Sequence, residues 1–291
     1  MDYIILALIA AIFFGISAII KKKTLKKETT YEFLTLLYIF CFIIILPFYR
    51  NLSLNLPPLI LFMILVRSFL FLIAVICFTK ALKHLPISTV SPLSSIGPIF
   101  AAILGFLILN ERVSTIQIIG IAIIVMGAYI LKSENHIKNY HKPLHDLIKS
   151  KYTHYIILYA LFSSITSILS KKILIDISSY NLIFYHYLFS MIMYLGILFF
   201  FKRGIKDINE GWKLGGHKIL LIAILGTIAS YVSFLSFASI DSKVMVIVPI
   251  LQLAILIDVI AGGRLFHEKY LKTKIIGSVV IIVGILLTTL F

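Results

Sequence analysis

The sequence predicts an all-α integral membrane protein of ten transmembrane helices, arranged as two inverted five-helix repeats. Three observations predict it: an apolar composition, ten apolar runs of membrane-crossing length, and an internal repeat whose equivalent loops have exchanged their charge. The 291 residues are 60% hydrophobic and 13% charged, where an ordinary globular domain carries roughly 25% charged residues. A net charge of +15 would suggest nucleic acid for a soluble protein. Here the basic residues sit in short links between apolar runs, and the bias of cytoplasmic loops explains them. No nucleic-acid partner is implied.

The runs cover 3–20, 31–49, 59–79, 85–109, 113–131, 152–170, 177–201, 219–240, 244–263 and 275–291. Each is of the length that crosses a hydrocarbon core of about 30 Å at a rise of about 1.5 Å per residue. Run 1 reads as a transmembrane helix and not as a cleaved signal. No basic residue precedes it, no small-residue cleavage pattern ends it, and Lys21, Lys22 and Lys23 follow it. Cys41 and Cys77 fall inside runs 2 and 3, so they form neither a disulfide framework nor a metal spacing.

Run 3 contains Arg67, eight residues in and too deep for easy snorkelling. A full charge at the bilayer centre costs roughly 2.5–3.5 kcal/mol on insertion scales, so such residues face a polar interior and pair. Arg67 reads as an anion-binding group or counter-ion, or as a structural partner of Asp258. Run 4 carries Ser88, Ser91, Ser95, Pro98 and Ala102 at spacings of three and four, one small and polar helical stripe. Such a stripe lines a cavity or lets helices approach closely. Glu111, at the end of run 4, reads as an interfacial pairing or capping group, and Gly120 and Gly127 give run 5 a packing face.

The segment 132–151 holds His136, His141 and His145 among lysines. Cations oppose a metal ion there, so a solvated linker is expected. Run 7 contains His186 between Tyr185 and Tyr187, a titratable group for solute or for a proton relay, or a histidine bonded between helices. Run 9 places Pro249 and Gln252 where run 4 has Pro92 and Ser95, and adds Asp258, a proton or cation site or a fixed ion-pair partner. Glu268 follows run 9 as Glu111 follows run 4, and run 10 repeats the glycine spacing at Gly277 and Gly284. The substrate-binding candidates are therefore Arg67, Asp258, His186, Ser91, Ser95, Gln252 and Tyr185.

Those coincidences belong to a repeat. At an offset of 149, Ala11, Phe13, Lys22, Tyr31, Tyr38 and Phe40 meet Ala160, Phe162, Lys171, Tyr180, Tyr187 and Phe189. At an offset of 157, Ala81, Pro92, Glu111, Gly120 and Gly127 meet Ala238, Pro249, Glu268, Gly277 and Gly284. The domains are residues 1–133, a basic linker 134–151, and residues 152–291. Five spans per half is odd, so the second half is inverted. The alternate loops carry 21 Lys and Arg on one side against 5 on the other. By the positive-inside rule the basic loops face the cytoplasm and both termini lie outside.

The stretch 81–131 resembles the EamA-type members of the drug/metabolite transporter superfamily: Ala81-Leu82, a proline-bearing helix, Glu111, then a glycine-bearing helix. Pro249, Glu268, Gly277 and Gly284 form a degraded second copy, and the resemblance covers nearly the whole chain. It implies a ten-helix inverted-repeat bundle around a central solute cavity, working by alternating access in the cell membrane. It also implies cytoplasmic termini, against the charge count, and an apolar residue where Asp258 stands.

No Walker A loop and no H-E-x-x-H or G-x-S-x-G motif occurs. The expected function is a secondary-active permease or exporter of a small metabolite such as an amino acid, coupled to protons or to solute exchange. A lipid or lipid-carrier translocase is the alternative. An integral membrane enzyme ranks below it, because no acid, base or metal cluster gathers at one face. No cofactor or metal is expected, and the partners are a small-molecule solute and membrane lipids.

Overall fold

The computed structural model describes residues 2–25, 30–53, 55–109, 114–132, 150–201, 205–268 and 270–290, and no strand occurs among them. Helix α1 spans Tyr3–Thr24, its first turn closed by the Asp2 carboxylate accepting from Ile4 N at 3.0 Å. It runs one turn beyond the apolar run 3–20, which makes Lys21 and Lys22 helical and buried instead of loop residues. Helix α2 spans Thr30–Ile45 and passes into a 3-10 turn at Leu46–Asn51. Helix α3, Pro58–His84, starts with proline in its first turn, where a missing N–H costs nothing.

The fourth apolar segment is broken. It comprises α4 (Ile87–Leu93), a 3-10 turn at Ser94–Ile96, and α5 (Gly97–Leu109). Helix α6 is Thr115–Lys132, α7 is Lys151–Ile173 and α8 is Ser179–Phe201. Helix α9, Ile205–Ala238, bends at Gly215, so part of the expected loop after run 7 is helical. The ninth segment is broken like the fourth, into α10 (Val244–Leu251), α11 (Ala254–Ile257), a π turn at Asp258–Gly262 and α12 (Gly263–Leu265). Helix α13 is Leu271–Leu290.

Among the described residues, eight helical segments are long and apolar enough to cross a membrane, and Thr115–Gly127 within α6 is a shorter apolar helix. Their polarity is arranged inside out. Phe62, Leu107 and Phe200 are exposed, while Ser68, Ser95, Ser164, Ser170, Arg67 and Asp258 are buried. In water such an outer surface would drive association; in lipid it is the stable arrangement.

Helix α1 packs on α9 and α3 on α7; α2 meets α8 and α9, and α3 meets α8; α1 meets α10 and α5 meets α7; α6 lies against α13. The last pair approaches through glycine. A Cβ on Gly127 would stand 2.8 Å from the Gly277 carbonyl oxygen, and one on Gly284 would stand 2.6 Å from that of Gly120. Without side chains there, the backbones touch.

Two lysines tie helix ends together in matching ways. Lys22 Nζ donates to the carbonyl oxygens of Leu82 and, at 2.6 Å, Leu85. Lys171 Nζ donates to Ser239 O at 2.8 Å and to Ser242 Oγ at 2.7 Å. Both satisfy carbonyls at a helix C-terminus with a cation, the favourable sign for the helix dipole. The opposite end of a helix is served by Glu268. It accepts from Ile87 N at 2.9 Å, from Ser88 N at 3.3 Å and from Ser88 Oγ, and it pairs with Lys274 at 3.5 Å. This is the capping role expected of it. Glu111, Arg112 and the linker histidines lie outside the described residues.

Candidate functional site

Prolines in the middle of apolar helices remove a backbone donor, and both broken segments carry one, Pro92 in α4 and Pro249 in α10. The segments cross at their breaks. Gln252, in the turn after α10, donates through Nε2 to the Ser94 carbonyl oxygen at 3.3 Å, and Ser164 Oγ of α7 donates to the Gly97 carbonyl oxygen at 2.9 Å. Side chains thus take up backbone groups that the breaks release, as irregular backbone at membrane depth requires.

Around this crossing lies a cavity of about 280 Å³ lined by Arg67, Asp258, His186, Ser91, Gln252 and Lys21, with aromatic walls that include Tyr38, Tyr159 and Tyr187. Five of the seven residues singled out from sequence therefore share one cavity. The other two do not. Ser95 is fully buried off the cavity wall, its hydroxyl without a hydrogen-bond partner. Tyr185 points the other way, and its hydroxyl donates to Ser53 O at 3.3 Å.

Arg67 is 4% exposed. Its Nε donates to Ser170 Oγ at 2.7 Å, and its guanidinium lies 4.8 Å from the Phe234 ring centroid and 5.6 Å from that of Phe71. Stacking against ring faces partly compensates a buried cation and fixes its plane. Its Nη1 makes no hydrogen bond. Asp258, also 4% exposed, opens the π turn of the ninth segment. Its Oδ2 accepts from Ser91 Oγ, and its Oδ1 makes no hydrogen bond. A π turn re-aims side chains relative to the helix around it, and such turns gather at functional sites.

The ion pair between Arg67 and Asp258, the structural alternative to a solute-binding role, is not formed. Each is held by a serine from another helix, lines the same cavity and keeps one buried polar atom unpartnered. His186 Nδ1 lies 2.9 Å from Ser68 Oγ and 3.4 Å from Ser190 Oγ, with its ring edge-on to Phe71. It thus lines the cavity and bridges helices at once.

Lys21 is the residue the sequence reading missed. It is 8% exposed, on the added turn of α1, with Nζ 5.6 Å from the ring centroids of both Phe33 and Phe78. The repeat carried a signal for it, since Lys21 is offset by 149 from Ser170, which lies inside run 6 and holds Arg67.

A family model described as the EamA-like transporter family matches residues 1–133 and again 151–290. An uncharacterized protein of Methanocaldococcus jannaschii is 31% identical over 135 residues, which is 45% of this chain and 97% of that protein. An uncharacterized transporter of Clostridium kluyveri is 29% identical over 137 residues, 44% of this chain and 43% of that one. A solved crystal structure superposes with a TM-score of 0.67 over 96% of each chain at 14% identity, a likeness of fold alone.

Proposed function

The chain belongs to the EamA-like transporter family, and on that premise we propose that it is a secondary-active transporter that moves a small metabolite, such as an amino acid or related solute, across the cell membrane. The observation that carries this reading is one cavity at the crossing of two broken helices whose lining includes both Arg67 and Asp258, each with a buried polar atom that has no hydrogen-bond partner. Unpartnered polar atoms in a low-dielectric interior are costly. A solute that bonds to the Arg67 and Asp258 side chains from the cavity offsets the cost of burying them, and α-carboxylate and α-ammonium groups have the required signs.

Alternating access between two inverted five-helix repeats, residues 1–133 and 152–291 joined by the linker 134–151, is the proposed mechanism. It is supported by contacts that recur when the halves are exchanged: α1 on α9 answers α7 on α3, Lys22 answers Lys171, and Gly127 over Gly277 answers Gly284 over Gly120. On this reading α6 and α13 complete a count of ten spans, and matched halves have two packings of similar energy. The basic loops face the cytoplasm, a bias that survives moving Lys21 and Lys22 out of the loop count. A cysteine added after Phe291 is expected to react with a membrane-impermeant maleimide on intact cells; reaction only after permeabilisation overturns the orientation and leaves the fold intact.

Transport itself is tested in proteoliposomes offered a panel of labelled amino acids, nucleotide derivatives and amphipathic cations. Accumulation of at least one amino-acid-like solute above protein-free vesicles is expected. Movement of a labelled lipid with no solute uptake supports the translocase instead.

A further inference from the structure

The cavity carries its two cations on one ladder. The Arg67 guanidinium lies 5.6 Å from the Phe71 ring and the Lys21 ammonium 5.6 Å from the Phe78 ring. Phe71, Val75 and Phe78 line the same cavity from α3. Residues seven apart lie on one helix face two turns apart, so the two ring-bearing positions follow each other along α3 with about 10 Å between their Cα atoms. The rings on the far sides, Phe234 for Arg67 and Phe33 for Lys21, hold each cation in place. Among the described residues neither cation bonds to a carboxylate, and the cavity's own carboxylate, Asp258, is bonded to Ser91. Ring faces offset only part of the cost of a buried charge.

A ligand that bonds to both cations must bring an anionic group to each, and two carboxylates supply them. The planar guanidinium, its Nε spent on Ser170, suits one carboxylate, and the ammonium suits the other. The sum of charges selects further. Lys21, Arg67 and Asp258 present two positive groups and one negative one, and a solute with two carboxylates and one ammonium is the complement. Resting on the transport reading, we propose that the cavity binds an acidic amino acid, with its carboxylates on Arg67 and Lys21 and its ammonium on Asp258. Val75 and the rings between the rungs cover the methylene chain.

Glutamine is the discriminating probe, because it has the shape of glutamate and lacks one carboxylate charge. Titration of the purified full chain with L-glutamate and L-glutamine, read by calorimetry or by thermal stabilisation, is expected to show glutamate binding at least ten-fold tighter. That comparison on the natural chain needs no variant. Lys21→Met is expected to bring the two affinities together, and Lys21→Arg to restore the preference. Glutamine binding as well as glutamate overturns the proposal, and so does a Lys21→Met chain that still discriminates. The outcome separates from that of the transport reading. Glutamate that binds with preference and never crosses proteoliposomes removes transport and keeps this site. Uptake of another solute beside equal glutamate and glutamine binding does the reverse.

Discussion

Arg67→Met is expected to abolish solute transport while leaving the chain as stable as before, or more so. The transport loss follows from removing a charge-assisted contact to solute, worth about 3 kcal/mol at the upper end and so roughly 100-fold in affinity. The stability half separates a binding charge from a structural one. Breaking a buried ion pair costs about 3–5 kcal/mol because the partner charge is stranded. Among the described residues Arg67 has no such partner and is held by a serine hydroxyl and two rings. Ser170 keeps its own donation to the Thr166 carbonyl oxygen at 2.6 Å when Arg67 is gone. Methionine fills the space and offers its sulfur to Phe71 and Phe234, so a desolvated charge disappears and little packing is lost. The measurement is thermal stability of the purified chain beside uptake in proteoliposomes. A variant that fails to fold assigns Arg67 to structure and removes it from the solute site.

The sequence made Arg67 and Asp258 legible because a full charge inside an apolar run of about 20 residues is expensive wherever it points. It did not make their relationship legible. Counting the charges of a span says that compensation is needed; whether an opposite charge, a serine or a ring face provides it depends on rotamers and on which helices meet. The same limit explains Tyr185. Neighbouring residues on a helix differ by about 100° in direction, so Tyr185 and Tyr187 flank His186 on different sides. Nothing in the run says which side is interior. Tyr187 is on the cavity wall, and Tyr185 reaches Ser53.

Pro98 marks the break in the fourth segment, since it cannot donate to the Ser94 carbonyl four residues earlier, while the break after α10 has no proline placed to cause it. The π turn at Asp258 has no such signal in residue type. Lys21 was lost for another reason. A lysine after an apolar run reads as the start of a loop, yet α1 keeps its helix for one more turn because Phe33 and Phe78 receive the ammonium and the stem packs along apolar neighbours. The offset that pairs Lys21 with Ser170 held the information, in the repeat and not in the local pattern.

Asp258→Asn is expected to uncouple transport from the proton gradient without stopping exchange. Asparagine keeps an oxygen in the place that accepts from Ser91 Oγ, so the contact between the two broken segments survives. What it cannot do is change charge. If Asp258 carries the coupling proton, a pH gradient imposed on proteoliposomes no longer drives accumulation of solute, while exchange of labelled for unlabelled solute across the membrane stays measurable. His186→Gln is the control, because His186 is tied to Ser68 and Ser190 at its Nδ1 and lies among rings. Gradient-driven accumulation is expected to persist in it. Combined with Arg67→Met, the effect of Asp258→Asn on the stability of the solute-free chain is expected to add to the first within about 0.5 kcal/mol, since without solute the two side chains share no contact. A strong coupling energy in that cycle would restore the direct ion pair. Accumulation that still follows the pH gradient in Asp258→Asn would move the coupling role away from this carboxylate, and the same response lost in His186→Gln would place it on the histidine.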